Sequence, residues 1–164
     1  MGFLLVVTFA VKAWGDPDVE RWFNRRPDTL WQAFSERWVS AKSEMKTPIE
    51  NLVLPVDHYP NSRIKAQLRA RRAQVFLDGM IFAEDVILDL LTEDGALDGQ
   101  VTAEGCLFDR NTRQGYCEGL VTMVKGSDRL KGRGMYFSFE DEFIKLLSEC
   151  EIRTYRIKNN FGRL

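Results

Sequence analysis

The sequence predicts a mainly β protein: an all-β sandwich, jelly roll or related open stack of antiparallel strands, with a helical segment in front. Three observations predict it. "RIKAQLRAR" (63–71) alternates apolar and polar residues with a period of two, the pattern of a half-buried strand. Asp78-Gly79 is a hairpin signal between two apolar runs. Beyond it, short apolar stretches recur at regular spacing with turn residues between them, as in sheet-rich folds.

The start of the chain reads differently. "MGFLLVVTFAVKA" is apolar over most of its length and ends in small residues, so residues 1–13 are a candidate signal peptide or membrane-anchor remnant. An ordinary N-terminal strand is the alternative. Ten apolar residues are too few to span a bilayer unaided. Residues 14–47 form the helical segment. Asp16 and Pro17 open a first helix that Pro27 ends. Thr29 and Gln32 then form a candidate capping box for a second. Trp31, Phe34 and Trp38 fall on one face of that helix and read as a packing face against the body; a membrane-surface or partner helix is the minority alternative. Pro48 closes the segment. Residues 48–158 are the β domain and 159–164 a tail.

In "RIKAQLRAR", Ile64, Ala66, Leu68 and Ala70 oppose a basic set that reads as a solvated sheet face. Past Arg71 the apolar parity switches to Ala73, Val75 and Leu77. The return strand is "MIFAEDVILDLL" (80–91). Pairing Leu77 with Met80 and inserting one residue at Arg71-Arg72 brings Ala70 opposite Val86 and Leu68 opposite Leu88. A β-bulge there is therefore expected from register. Ala66, Leu68 and Ala70, with Val86, Leu88 and Leu90, should then face the interior, and Val121 and Phe137 join them as candidates for the same apolar face. "FIKLLSE" and "EIRTYRIK" continue the strand rhythm, with a short helix over 141–150 as the alternative.

Composition excludes more than it assigns. Net charge is −1, from 23 basic and 24 acidic residues, so no overall field favours nucleic acid. The single histidine, His58, sits among turn residues, and no activated-nucleophile signature accompanies it. Glu84-Asp85 and Glu140-Asp141-Glu142 read as solvated acidic positions. "KGRGMYF" lacks a phosphate-loop pattern. The 3 cysteines form no ligand pair with metal spacing, so no metal and no cofactor are expected. If Asp109 and Gln114 close the turn "RNTR", Cys106 falls opposite Cys117. That stretch is a hairpin first, and a disulfide if the compartment is oxidising. Cys150 is left over. No catalytic residue emerges, and the chain reads as a non-enzyme.

The strand rhythm over 49–158 resembles the LptC/OstA group of bacterial lipopolysaccharide-transport proteins. A strand ends in Phe108-Asp109, a short segment Asn111-Thr112 follows, and a strand returns through Gly119 to Val121. A further strand places Leu130, Gly132, Gly134 and Phe137. The resemblance implies a twisted, open β-jelly roll with an apolar groove for lipopolysaccharide or other lipid acyl chains. It implies a periplasmic location, with an inner-membrane anchor in some members. Implied partners are other jelly-roll bridge proteins, joined by edge-strand pairing, and an inner-membrane transporter. Two further classes stay open: a non-catalytic envelope structural protein that polymerises through sheet edges, and a nucleic-acid binder using Arg63, Lys65, Arg69, Arg71 and Arg72.

Overall fold

The computed structural model describes residues 4–7 and 29–154. Its elements are β1 (Leu4–Val7), α1 (Thr29–Glu44), β2 (Ile49–His58), β3 (Ile64–Val75), β4 (Met80–Leu91), β5 (Leu97–Asp109), β6 (Gln114–Lys125), β7 (Asp128–Ser138) and β8 (Phe143–Thr154). All the described strands belong to one sheet, in the order β1-β8-β7-β6-β5-β4-β3-β2. From β2 to β8 every neighbour in space is a neighbour in sequence, joined antiparallel by a short turn. The expected stack of two sheets is thus met by a single sheet. Its physical reason is the connections: each is a hairpin, and none is long enough to carry the chain across to a second layer.

β1 pairs in parallel with β8, Leu4 opposite Phe143 through Val7 opposite Leu146. The first expected helix, over 16–27, lies outside the described residues, as do the tail at 159–164 and most of 1–13. The side chains of the Thr29–Gln32 capping box and of Trp31 also fall outside them. The residues expected as "FIKLLSE" and the start of "EIRTYRIK" form one strand, β8.

The expected bulge at Arg71-Arg72 is corrected. β3 and β4 keep one register throughout, from Ala66 opposite Leu90 to Val75 opposite Ile81. The pairing of Leu68 with Leu88 and Ala70 with Val86 is present, but the turn supplies the offset. Phe76 N–H donates to the Met80 carbonyl at 2.9 Å, and Gly79 N–H to the Phe76 carbonyl at 3.1 Å, leaving a three-residue loop over 77–79. Gly79 takes φ +86°, a conformation that costs glycine nothing.

The parity switch itself is real and is shared by the whole sheet. Inward residues step by three rather than two at one level: Ala70 to Ala73 in β3, Ala83 to Val86 in β4, Ala103 to Cys106 in β5. At that level the ladders skip Asn51, Arg71, Asp85 and Glu104. Positive φ occurs there at Asn51 (54°), Asp85 (51°), Gly119 (81°), Gly134 (76°) and Glu149 (51°). One extra residue per strand preserves the buried face while the backbone bends. Because β3, β4 and β5 insert theirs side by side, no shift appears between them. In β6 and β8 the insertion falls against a single partner residue and shifts the register locally.

Along this crease the sheet rolls over itself. Leu52 and Leu54 of one edge and Cys150 of the other pack against the same buried cluster. The outer face is covered at one end by α1. Phe34, Trp38 and Ala41 pack there on Phe82, Leu107, Tyr116, Tyr136 and Phe143. The indole of Trp38 meets Phe82 edge-on at 4.8 Å, and Tyr116 at 6.0 Å. It lies directly over Gly105, where an added Cβ would come within 2.7 Å of the ring.

Candidate functional site: the interior of the rolled sheet

The sheet's inner face carries the larger of the two buried apolar clusters among the described residues. Ala66, Leu68 and Ala70 of β3 and Val86, Leu88 and Leu90 of β4 lie on it in mutually opposed pairs. Val121 of β6 and Phe137 of β7 share it, and all eight are at most 5 % exposed. Leu68, Val86, Leu88 and Phe137 line a narrow space at its centre, together with Val101, Ala103 and Met135. The space has no room for a water molecule. Val101, Ala103 and Met135 were not singled out by sequence reasoning, although the alternation of "QVTAEG" carries the signal for the first two.

Cys106 and Cys117 are direct partners in the β5–β6 ladder, joined by a disulfide with Cα atoms 4.1 Å apart. Both cysteines line the same narrow space. The bond sits next to the β5–β6 register shift, where Gly105 opposes Glu118, and so fixes that register on one side of the crease. Cys150 is a free, half-buried thiol whose pKa burial pushes up.

One end of the interior is closed by aromatic rings. Phe108 and Phe137 stack at 6.2 Å, and Phe139 meets them at 6.0 and 5.2 Å. Phe137 lies across Gly115, which has no room for a side chain. The turns at this end are tied together, since Phe139 N–H donates to the Arg113 carbonyl at 3.0 Å.

At a corner of the roll is a charged cluster that the sequence did not reveal. Lys65, expected on a solvated face, is buried, and Glu142, expected in a solvated turn, is its partner. Asp57, 5 % exposed, pairs with Arg113 and lies 3.9 Å from the Lys65 ammonium. The His58 backbone N–H also donates to Asp57 Oδ1 at 2.9 Å, while His58 itself ends β2 exposed. Lys65 Nζ stands 5.6 Å from the centre of the Tyr59 ring, whose hydroxyl donates to the Leu91 carbonyl. Asp57 and Lys65 belong to the end of the sheet opposite the turns that carry Arg113 and Glu142. Only the roll brings them together, which is why strand alternation gave no hint of it.

The remaining basic residues of β3 have partners on the outer face. Arg69 donates to both oxygens of Asp89 at 2.6 and 3.0 Å, and Gln100 joins Asp89 at 2.8 Å. Arg71 pairs with Asp85, and Arg72 with Glu50 and Glu84. Arg63, just before β3, donates to the Glu93 carbonyl. Among the described residues no group of His, Cys, Asp and Glu could hold a metal ion, and no helix is long and apolar enough to cross a membrane. Comparisons with protein-family models and with curated proteins find no match for the chain.

Proposed function

We propose that this chain is a non-catalytic lipid-binding protein of the bacterial envelope, taking acyl chains of lipopolysaccharide or another lipid into the interior of its rolled sheet. The observation that carries the reading is the inner face. It stays apolar through the crease, from β3 to β8, and it is enclosed by a sheet whose two edges, among the described residues, are not hydrogen-bonded to each other. A sheet rolled over itself offers two facing apolar walls, as the jelly roll of the LptC/OstA resemblance would. Each acyl methylene transferred from water to that face contributes roughly 0.8 kcal/mol. The closed interior is packed, so uptake requires the roll to open. The Cys106–Cys117 bond suits an oxidising compartment, which supports a periplasmic placement, anchored at the inner membrane or released from it. Bridge proteins related by edge-strand pairing and an inner-membrane transporter are the partners this reading implies.

The test is mass spectrometry of lipid extracted from the protein isolated from its native envelope, together with photocrosslinking to an acyl probe. The expected result is co-purified lipid, and crosslinking that Ala66→Phe reduces in a folded variant. Absence of lipid and of crosslinking from the parent protein would overturn the reading.

A second reading, assembly through sheet edges, rests on a separate observation. β1 covers only the stretch of β8 from Phe143 to Leu146, and the opposite edge, β2, exposes Ile49 and Val53. Concentration-dependent mass in light scattering, without bound lipid, would favour it. The nucleic-acid reading has less support, because Lys65, Arg69, Arg71 and Arg72 each have an acidic partner.

A further inference from the structure

We infer that Asp57, Lys65, Arg113 and Glu142 form a releasable clasp that holds the roll closed, and that releasing it lets the β2–β3 hairpin swing away from the interior. Among the described residues the backbone ladder ends at β2 on one side and at β1 on the other, so no main-chain hydrogen bond of that ladder closes the roll. Among the described residues, closure depends on side chains. The apolar grip of β3 on the interior is modest: of its inward residues Ala66, Leu68, Ala70 and Ala73, three are alanines. β2 adds Val56 and the only partly buried Leu52 and Leu54. Against this weak grip the four charges tie the far end of the hairpin to the turns before β6 and β8.

The two inner members, Asp57 and Lys65, are more than nine-tenths buried, whereas Glu142 and Arg113 are about two-fifths exposed. Buried charges need their partners, and solvated ones can leave for water. The outer pair can therefore detach while Asp57 and Lys65 still neutralise each other. The hairpin that would move carries Leu68, one wall of the narrow central space, so its departure widens that space from one side. As an entry route for acyl chains, the clasp rests on the lipid reading above; as a closure of the sheet, it does not.

Hydrogen–deuterium exchange of the full chain tests it, using Arg113→Gln with Glu142→Gln, which leaves the buried Asp57–Lys65 pair intact. Exchange in residues 49–70 should accelerate about tenfold while residues 97–138 change little, because the opening is local. Glu142→Gln alone should give an intermediate acceleration in the same residues, and it serves if the double variant does not fold. Arg133→Gln, which breaks an exposed pair with Glu149, should leave residues 49–70 unaffected. A uniform acceleration, or none, overturns the clasp. Stopped-flow binding of a fluorescent fatty acid is read in parallel, with faster association expected in the double variant. Local acceleration with no binding by parent or variant leaves the clasp standing and overturns the lipid reading.

Discussion

At the scale of single residues, burial governs the behaviour of Tyr116. Packed beneath α1, its phenol has its pKa raised by desolvation, partly opposed by a hydrogen bond with Ser35 and reinforced by Glu118. The folded state therefore holds the phenol proton more tightly than the unfolded chain does. The resulting stabilisation is complete below the ordinary tyrosine pKa, near 10.0, and is lost as pH rises through the higher folded value. Cys150, shifted in the same direction by burial, adds a loss of the same sign that begins lower, near 9.0. Urea midpoints between pH 9 and pH 11 should fall, and Tyr116→Phe should fall less steeply than the parent above about pH 10. Equal slopes would show that Tyr116 is not the group responsible. Residue-scale features were unevenly legible. The pairing of Cys106 with Cys117 could be counted from the turn, because both strands step equally away from it. The burial of Lys65 was not legible because its partner Glu142 comes from a turn remote in sequence, and a period of two describes only the strand's own faces.

At the scale of elements, α1 and the β3–β4 hairpin show what local pattern can and cannot supply. Phe34 and Trp38 were placed on a packing face by helical spacing, and both are buried on the sheet. Their receiving surface, Phe82, Leu107, Tyr116, Tyr136 and Phe143, was not legible, since it gathers single residues from five strands. Arg37 supports the helix from its flank: it lies 4.9 Å over the Phe76 ring and pairs with Asp78 in the adjoining turn. Trp38 is the main anchor, and Trp38→Ala should cost roughly 3 kcal/mol by removing a large buried ring. Equilibrium urea unfolding measures that cost, and hydrogen exchange should show α1 losing protection before the strands. A midpoint within error of the parent would mean that the helix is held elsewhere. In the hairpin, the apolar match of Leu68 with Leu88 identified the register, but the position of the extra residue could not be deduced. A three-residue loop and a bulged strand satisfy the same pairing.

At the scale of the whole molecule, the crease is the organising feature. Its signature was only half legible: Gly119 and Gly134 are residues suited to positive φ, but Asp85 and Glu149 occupy the same conformation without being glycine. Gly134→Val should be costly, because a branched side chain would be forced into φ +76° with its Cβ 3.1 Å from Leu147. About 2 kcal/mol is expected from the backbone strain, read as a lower urea midpoint. Asn51→Gly, at the same level in β2, should change the midpoint little, since asparagine already tolerates that region. If the two variants behave alike, backbone conformation along the crease is not what maintains the bend. The parallel pairing of β1 with β8 bears on time as well as shape. From β2 onward each strand finds its partner as soon as the next one leaves the ribosome, so the meander can assemble in order of synthesis through short loop closures. β1 is made before all of them, yet its partner is the last strand of the sheet. During translation this apolar segment must therefore wait for its partner in the folded sheet until the seven later strands have emerged.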